Sequence, residues 1–192
     1  MSPEIPEALR VAVRLIEMLE DLGVAYHLGG SIASSVHGIP RMTQDVDLVA
    51  HVTPEAATAL ARIASGEFYV DAEVARAAAR ERTSFNLIHR DSGMKIDIFV
   101  RGSEPFDLEE FRRHRRERVQ VQPPYDLFVK TPEDTLLRKL QWYRLGGEVS
   151  DRQWADVLGV IRTQADRLDR PYLQQWSQEL GVADLLERAL SL

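Results

Sequence analysis

Apolar residues recur at three- and four-residue steps from Glu7 to Leu22, at Leu9, Val13, Ile16, Leu19 and Leu22. This period predicts an amphipathic helix, ended by Gly23. A short strand is expected at Ala25–Leu28, running into Gly29-Gly30-Ser31, with a helix over Ser31–His37 that Gly38-Ile39-Pro40 stops. Period two then appears in Asp45–Val52, the mark of a strand, and Thr53-Pro54-Glu55 opens a helix over Pro54–Ile63. A helix over Asp71–Arg82 precedes two strands, Ser84–His89 and Met94–Val100, joined as a hairpin by Arg90-Asp91-Ser92-Gly93. Leu108–Arg116 is expected as a short charged helix, and Val119–Val121 and Leu127–Val129 as short strands. From the cap at Thr131-Pro132-Glu133-Asp134 the chain reads as helical to its end, with breaks at Gly146-Gly147, Asp169-Arg170-Pro171 and near Gly181. The expected fold class is α+β, a mixed part to about Val129 followed by a helical segment packed on it.

Composition narrows the function classes. With 192 residues and 44% hydrophobic content, the chain can bury a core without staples, and it contains no cysteine. Disulfide frameworks, thiolate zinc sites and thiol nucleophiles are thereby excluded. No apolar run approaches the roughly 18 residues of a membrane span. Met1–Glu7 lacks a basic start before an apolar core, so a soluble, cytoplasmic protein without a membrane partner is expected. The net charge of −6 argues against a whole-surface grip on nucleic acid and leaves room for a local basic patch.

Three features stand together. Gly29-Gly30-Ser31 lies between a strand and a helix, where glycine lets a phosphate approach the backbone and the helix start offers free N–H groups. In Asp45-Val46-Asp47-Leu48-Val49 the two acids share one face, about 7 Å apart along the strand, while Val46 and Leu48 take the other. Lys95-Ile96-Asp97-Ile98-Phe99 repeats the pattern with Asp97 opposite its apolar neighbours. Two acids can hold a pair of metal ions, and a third completes one shell and draws a proton from an attacking hydroxyl. The bland alternative for each acidic strand is an exposed edge with solvated carboxylates.

The run LGGSIASSVHGIPRMTQDVDLV, Leu28–Val49, resembles the signature of the DNA polymerase β-like nucleotidyltransferase superfamily, a Gly-Gly/Ser turn followed by Asp-hydrophobic-Asp, with Asp97 as the later third acid. His37-Gly38, Pro40-Arg41, Thr43-x-Asp45 and Phe85-Asn86-Leu87-Ile88-His89 resemble its minimal bacterial, AbiEii-like branch. More loosely, so do Pro132-Glu133-Asp134, Lys139 and the Asp151/Asp156 pair, so that the likeness spans about Leu28–Ile161. The resemblance implies a nucleotidyltransferase-type mixed sheet flanked by helices, a catalytic domain over 1–130 and a helical segment over 131–192. It implies that a nucleoside triphosphate rests on Gly29, Gly30 and Ser31 with Arg41 and Lys139 near its phosphates. Asp45, Asp47 and Asp97 would be both the catalytic acids and the ligands of two Mg²⁺ ions, with Asp156 as an accessory residue. The implied reaction moves a nucleoside monophosphate to an acceptor hydroxyl and releases pyrophosphate. The acceptor stays open between tRNA or other RNA, a protein (a toxin–antitoxin partner included) and a small molecule such as an antibiotic. A nucleotide- or partner-binding antitoxin-type module without turnover is the competing class.

Other residues read more plainly. Arg41 is balanced between a phosphate and an anchor to Asp45, and His37 is expected to pack at a helix end. Arg112–Arg118 is expected as a solvated helix face, with an RNA patch as the alternative. Lys130 is expected to flank a strand, and Trp142, Tyr143, Trp154 and Trp176 to pack in the core. Thr83-Ser84 reads as a strand cap, and the Gly-x-x-x-x-Gly-Lys-Ser/Thr loop of P-loop chemistry is absent.

Overall fold

Alternating burial along two neighbouring strands divides the molecule into an apolar side and a chemical side. The computed structural model describes residues 7–43, 45–119 and 124–192. Residues 120–121 of the expected strand, Gln44 and nearly all of Met1–Glu7 lie outside the described residues. The chain runs α1 (Glu7–Asp21), β1 (Tyr26–Leu28), α2 (Gly30–His37), β2 (Asp45–Ala50), α3 (Pro54–Ala64), β3 (Phe68–Tyr69), α4 (Ala72–Glu81), β4 (Ser84–His89) and β5 (Lys95–Val100). It continues through α5 (Pro105–Arg113), β6 (Arg115–Val119), β7 (Tyr125–Val129), α6 (Pro132–Leu145), α7 (Asp151–Gln164), α8 (Arg170–Glu179) and α9 (Ala183–Leu190). The seven strands form one mixed sheet in the order β3-β4-β5-β2-β1-β7-β6. Together with the flanking helices this is the α+β architecture expected from the alternation and cap signals.

The centre of the sheet is apolar because period two places Val46, Leu48 and Ala50 of β2 beside Ile96, Ile98 and Val100 of the parallel β5, all buried. Leu15, Ile16 and Leu19 of α1 close this face, each burial contributing about 1.5–3 kcal/mol. Leu60 of α3 and Ala75 of α4 extend the same cluster. A second apolar cluster joins Phe106 of α5 to Leu136, Leu137 and Leu140 of α6, Val157 and Val160 of α7, and the last two helices. Helix α2 joins α6 and α7 to the sheet. Its end comes so close to α7 that a Cβ on Gly38 would lie 2.8 Å from the Val160 backbone nitrogen, so this crossing admits glycine alone. Among the described residues no helix is long and apolar enough to cross a membrane.

Two local expectations are corrected. Helix α5 begins at Pro105, not Leu108, because proline suits the first helical position and the Asp107 carboxylate accepts from the Glu104 backbone N–H at 3.2 Å. The helix also stops earlier. Arg115, Arg116 and Arg118 belong to β6, which pairs antiparallel with β7, so the basic run is not one helix face. Charged side chains suit this position, since β6 is an edge strand and charge blocks further pairing. The two-residue β3 carries too short an alternation to register as a strand in the sequence.

Candidate active site

Parallel pairing of β2 and β5 sets Asp47 directly beside Asp97 and Asp45 beside Lys95, so the three acids occupy one patch on one face. Asp45 is exposed and the other two are partly buried. Burial pushes the Asp47 carboxyl above the usual carboxylate range. The charges of Asp97 and Asp45 add to this, against the opposing pull of Lys139 and Lys130. Lys95 holds Asp97 through a 2.8 Å contact to Oδ2, and this bond raises the Lys95 ammonium. Among the described residues no three His, Asp or Glu side chains are gathered tightly enough to hold a metal. Carboxylate oxygens are nevertheless the donor type that Mg²⁺ takes. Asp45, Asp47 and Asp97 present such oxygens on adjacent strands, and a cation there would offset the burial and the like charges that raise Asp47.

The glycine turn touches these acids. Gly30 has φ +50, and a Cβ built on it would lie 1.7 Å from Asp47 Oδ2, so the carboxylate fills the space a side chain would need. The Gly29 N–H donates to the Asp47 carbonyl at 2.9 Å, which locks the turn to β2. Ser31 follows in the first turn of α2, and its hydroxyl accepts from Arg41 at 2.6 Å, leaving its own hydrogen to donate elsewhere.

Arg41 does not anchor to Asp45. It makes a paired contact with Asp156, Nε to Oδ1 at 2.8 Å and a terminal nitrogen to Oδ2 at 3.0 Å. Lys139 reaches the same Oδ2 at 2.8 Å. Burial by itself would raise the Asp156 carboxyl, but bonds from Arg41 and Lys139 outweigh it and hold it below the usual range. One carboxylate from α7 thus positions two cations and, through Arg41, the Ser31 hydroxyl. Asp156→Ala leaves those cations facing each other. We expect a loss of about 2–3 kcal/mol in urea unfolding, below the cost of a fully buried pair because the Arg41 side chain stays 26% exposed.

These groups open onto a cleft of about 740 Å³. Its walls carry seven cationic side chains (Arg41, Arg82, Arg101, Lys130, Arg138, Lys139 and Arg152) against three acids, Asp47, Asp107 and Glu110. Asp45 and Asp97 lie outside its lining. Lys130 does follow strand β7, yet it is buried, donates to Glu110 at 3.1 Å and sits against Gly29. Glu110 also receives Arg138 at 2.8 Å, and Arg138 bonds Asp107. This buried network is not legible in the sequence. The one signal the chain offers is that Lys130 is among only three lysines, with Lys95 and Lys139.

His37 is structural as expected, its Nε2 lying 2.6 Å from the Lys130 carbonyl. Tyr143 is buried, and Trp154 and Trp176 pack against the second cluster. Trp142 contradicts the core reading: it is 54% exposed and lines the cleft. Arg113 is occupied by Glu133 at 3.3 Å, and none of Arg112, Arg115, Arg116 or Arg118 lines the cleft.

No protein-family model and no curated protein sequence matches the chain. Solved structures do. An antigenic nucleotidyltransferase-like protein from Paracoccidioides brasiliensis superposes with TM-score 0.61 at 18% identity, over 100% of this chain and 95% of that one. The antibiotic-resistance factor ANT(2'')-Ia matches with TM-score 0.54 at 12% identity, over 94% and 95%. The lincosamide antibiotic adenylyltransferase LnuA matches with TM-score 0.52 at 11% identity, over 82% and 98%. At such identities likeness establishes architecture alone, and the architecture of this chain is the nucleotidyltransferase-like fold.

Proposed function

We propose that this protein transfers a nucleoside monophosphate from a nucleoside triphosphate to an acceptor hydroxyl and releases pyrophosphate. The observation that carries this reading is the Gly30–Asp47 contact. It joins a phosphate-approachable helix start to a carboxylate row at the edge of an electropositive cleft. The first-turn N–H groups of α2 and the Ser31 hydroxyl would receive the β- and γ-phosphates. Lys139 and Arg41, steadied by Asp156, would offset the phosphate charge.

Mg²⁺ held by Asp45, Asp47 and Asp97, as a two-ion site, would neutralise phosphoryl charge and lower the pKa of the acceptor hydroxyl. Asp97 takes the hydroxyl proton. The acceptor oxygen then bonds to the α-phosphorus, the bond from that phosphorus to the bridging oxygen breaks, and the electron pair leaves with pyrophosphate. Residues 1–130 would form the catalytic part and 131–192 the helical part, a division supported by two apolar clusters that respect it except at Phe106. Placement in the AbiEii-like branch belongs to the same proposal and rests on the motif run Leu28–Val49.

Among acceptors, a small molecule is favoured over RNA because the basic run around Arg115–Arg118 is separate from the cleft lining. The test is transfer of label from each α-³²P nucleoside triphosphate, with Mg²⁺, to total tRNA, to the protein itself and to an aminoglycoside and lincosamide panel. Label on a small molecule is expected, unchanged by neutral substitution of Arg115, Arg116 and Arg118. Label on RNA or protein would move the acceptor to those classes, a toxin–antitoxin partner among them. Nucleotide binding without transfer to any acceptor would favour the antitoxin-type binding module, and no binding would end the proposal.

A further inference from the structure

Trp142 and Gln153 both line the cleft, and neither has a structural task that explains its state. An indole left 54% exposed forgoes the burial that normally holds tryptophan inside. Gln153, in the first turn of α7, lines the same cleft, and its side-chain Oε1 is buried with no hydrogen-bond partner. A buried carbonyl oxygen without a donor carries a desolvation cost that a ligand N–H would remove. Trp142 lies three residues after Lys139 on α6, so the two side chains are neighbours one turn apart. Gly30, Ser31, Lys139 and Trp142 line one cleft, so a triphosphate held by the first three shares that cleft with the indole.

We infer that Trp142 and Gln153 form the base-binding subsite of the donor nucleotide, selecting a purine that carries an exocyclic amino group. This rests on the nucleotidyltransferase reading and gives it a class of base. The indole offers a stacking face, which every base can use and a purine uses best. Gln153 Oε1 accepts from the exocyclic amino group, which adenine carries and hypoxanthine lacks. The geometry thus separates affinity, supplied by stacking, from selection, supplied by the amide. Arg82 and Arg101 also line the cleft and are left to the acceptor.

The experiment uses intrinsic fluorescence and calorimetry with ATP, ITP and inorganic tripolyphosphate on the full chain. ATP is expected to quench Trp142 emission, since the other two tryptophans are packed in the second cluster. Trp142→Ala should weaken ATP binding about 5- to 150-fold and leave tripolyphosphate binding unchanged, with Trp142→Phe largely restoring it. Gln153→Ala should erase a preference of about 2- to 10-fold for ATP over ITP. If ATP binds the wild type and Trp142→Ala changes nothing, or weakens tripolyphosphate equally, the subsite assignment is wrong while the nucleotidyltransferase reading stands. If neither ATP nor tripolyphosphate binds the wild type, both fall.

Discussion

Asp47→Asn is expected to lower nucleotidyl transfer by on the order of 10³-fold and, at pH 7, to raise the melting temperature. The first effect follows from the loss of the central carboxylate of the acid row. Transition-state charge stabilisation of several kcal/mol disappears with it, and each 1.4 kcal/mol is about tenfold in rate. The second follows from where Asp47 sits. Burial, then the neighbouring Asp97 and Asp45 charges, raise its folded-state pKa above the unfolded value. The folded protein therefore holds that proton more tightly than the unfolded chain does. The resulting stabilisation is complete below the unfolded pKa and is lost as pH rises through the raised folded value. As pH rises, wild-type Asp47 has to carry its charge partly buried and beside like charges, and asparagine removes that strain. The gain should shrink to nothing near pH 3, where the wild-type carboxyl is protonated in both states. Added Mg²⁺ should raise the wild-type melting temperature and leave the variant's nearly unmoved. A variant less stable than wild type across the whole pH range would contradict this account of the site's electrostatics.

Gly30→Ala is expected to lower nucleotidyl transfer by about 10²-fold or more. The residue has φ +50, a conformation that costs an L side chain about 1–2 kcal/mol. The added Cβ would also lie 1.7 Å from Asp47 Oδ2 and 2.6 Å from its Cγ, so the carboxylate has to move. Misplacing a catalytic group by about 1 Å costs about 10²-fold, and transfer should fall by at least that much. Gly29→Ala is the control. Gly29 has ordinary extended backbone, and its Cβ would meet Lys130 Cε at 3.2 Å, a far milder contact than the one at Gly30. Its activity should stay within about tenfold of wild type. Single-turnover rates with chemical denaturation of both variants check this, and a larger loss in Gly29→Ala would refute the assignment of the Gly30–Asp47 contact.

The acid row is legible in the sequence because it depends on local rules. Alternation places Asp45 and Asp47 on one face whatever the strand pairs with, and an apolar Val46 and Leu48 force that face outward. Caps are equally legible: Thr131 does accept from the Asp134 N–H at 3.2 Å, and Thr53 from the Ala56 N–H at 3.2 Å. The expectation of a helix over Leu108–Arg116 holds to Arg113 and fails beyond it, because the rule behind that end is not local. Charge pattern cannot separate an exposed helix from an edge strand, and the pairing of β6 with β7 settles the matter.

Periodicity, capping and glycine chemistry act within a few residues. They are enough to establish the mixed α+β layout, the Gly29-Gly30-Ser31 turn and the three acids as a candidate site. Which partners hold the cations around those residues is a matter of tertiary packing. Arg41 meets Asp156 across 115 residues, and Lys130 meets Glu110 only because α5 folds against the end of β7. Packing also turns Trp142 toward a cleft, because a helix face becomes core only where another element covers it. Contacts between distant segments leave no period in the chain, so packing alone reveals them.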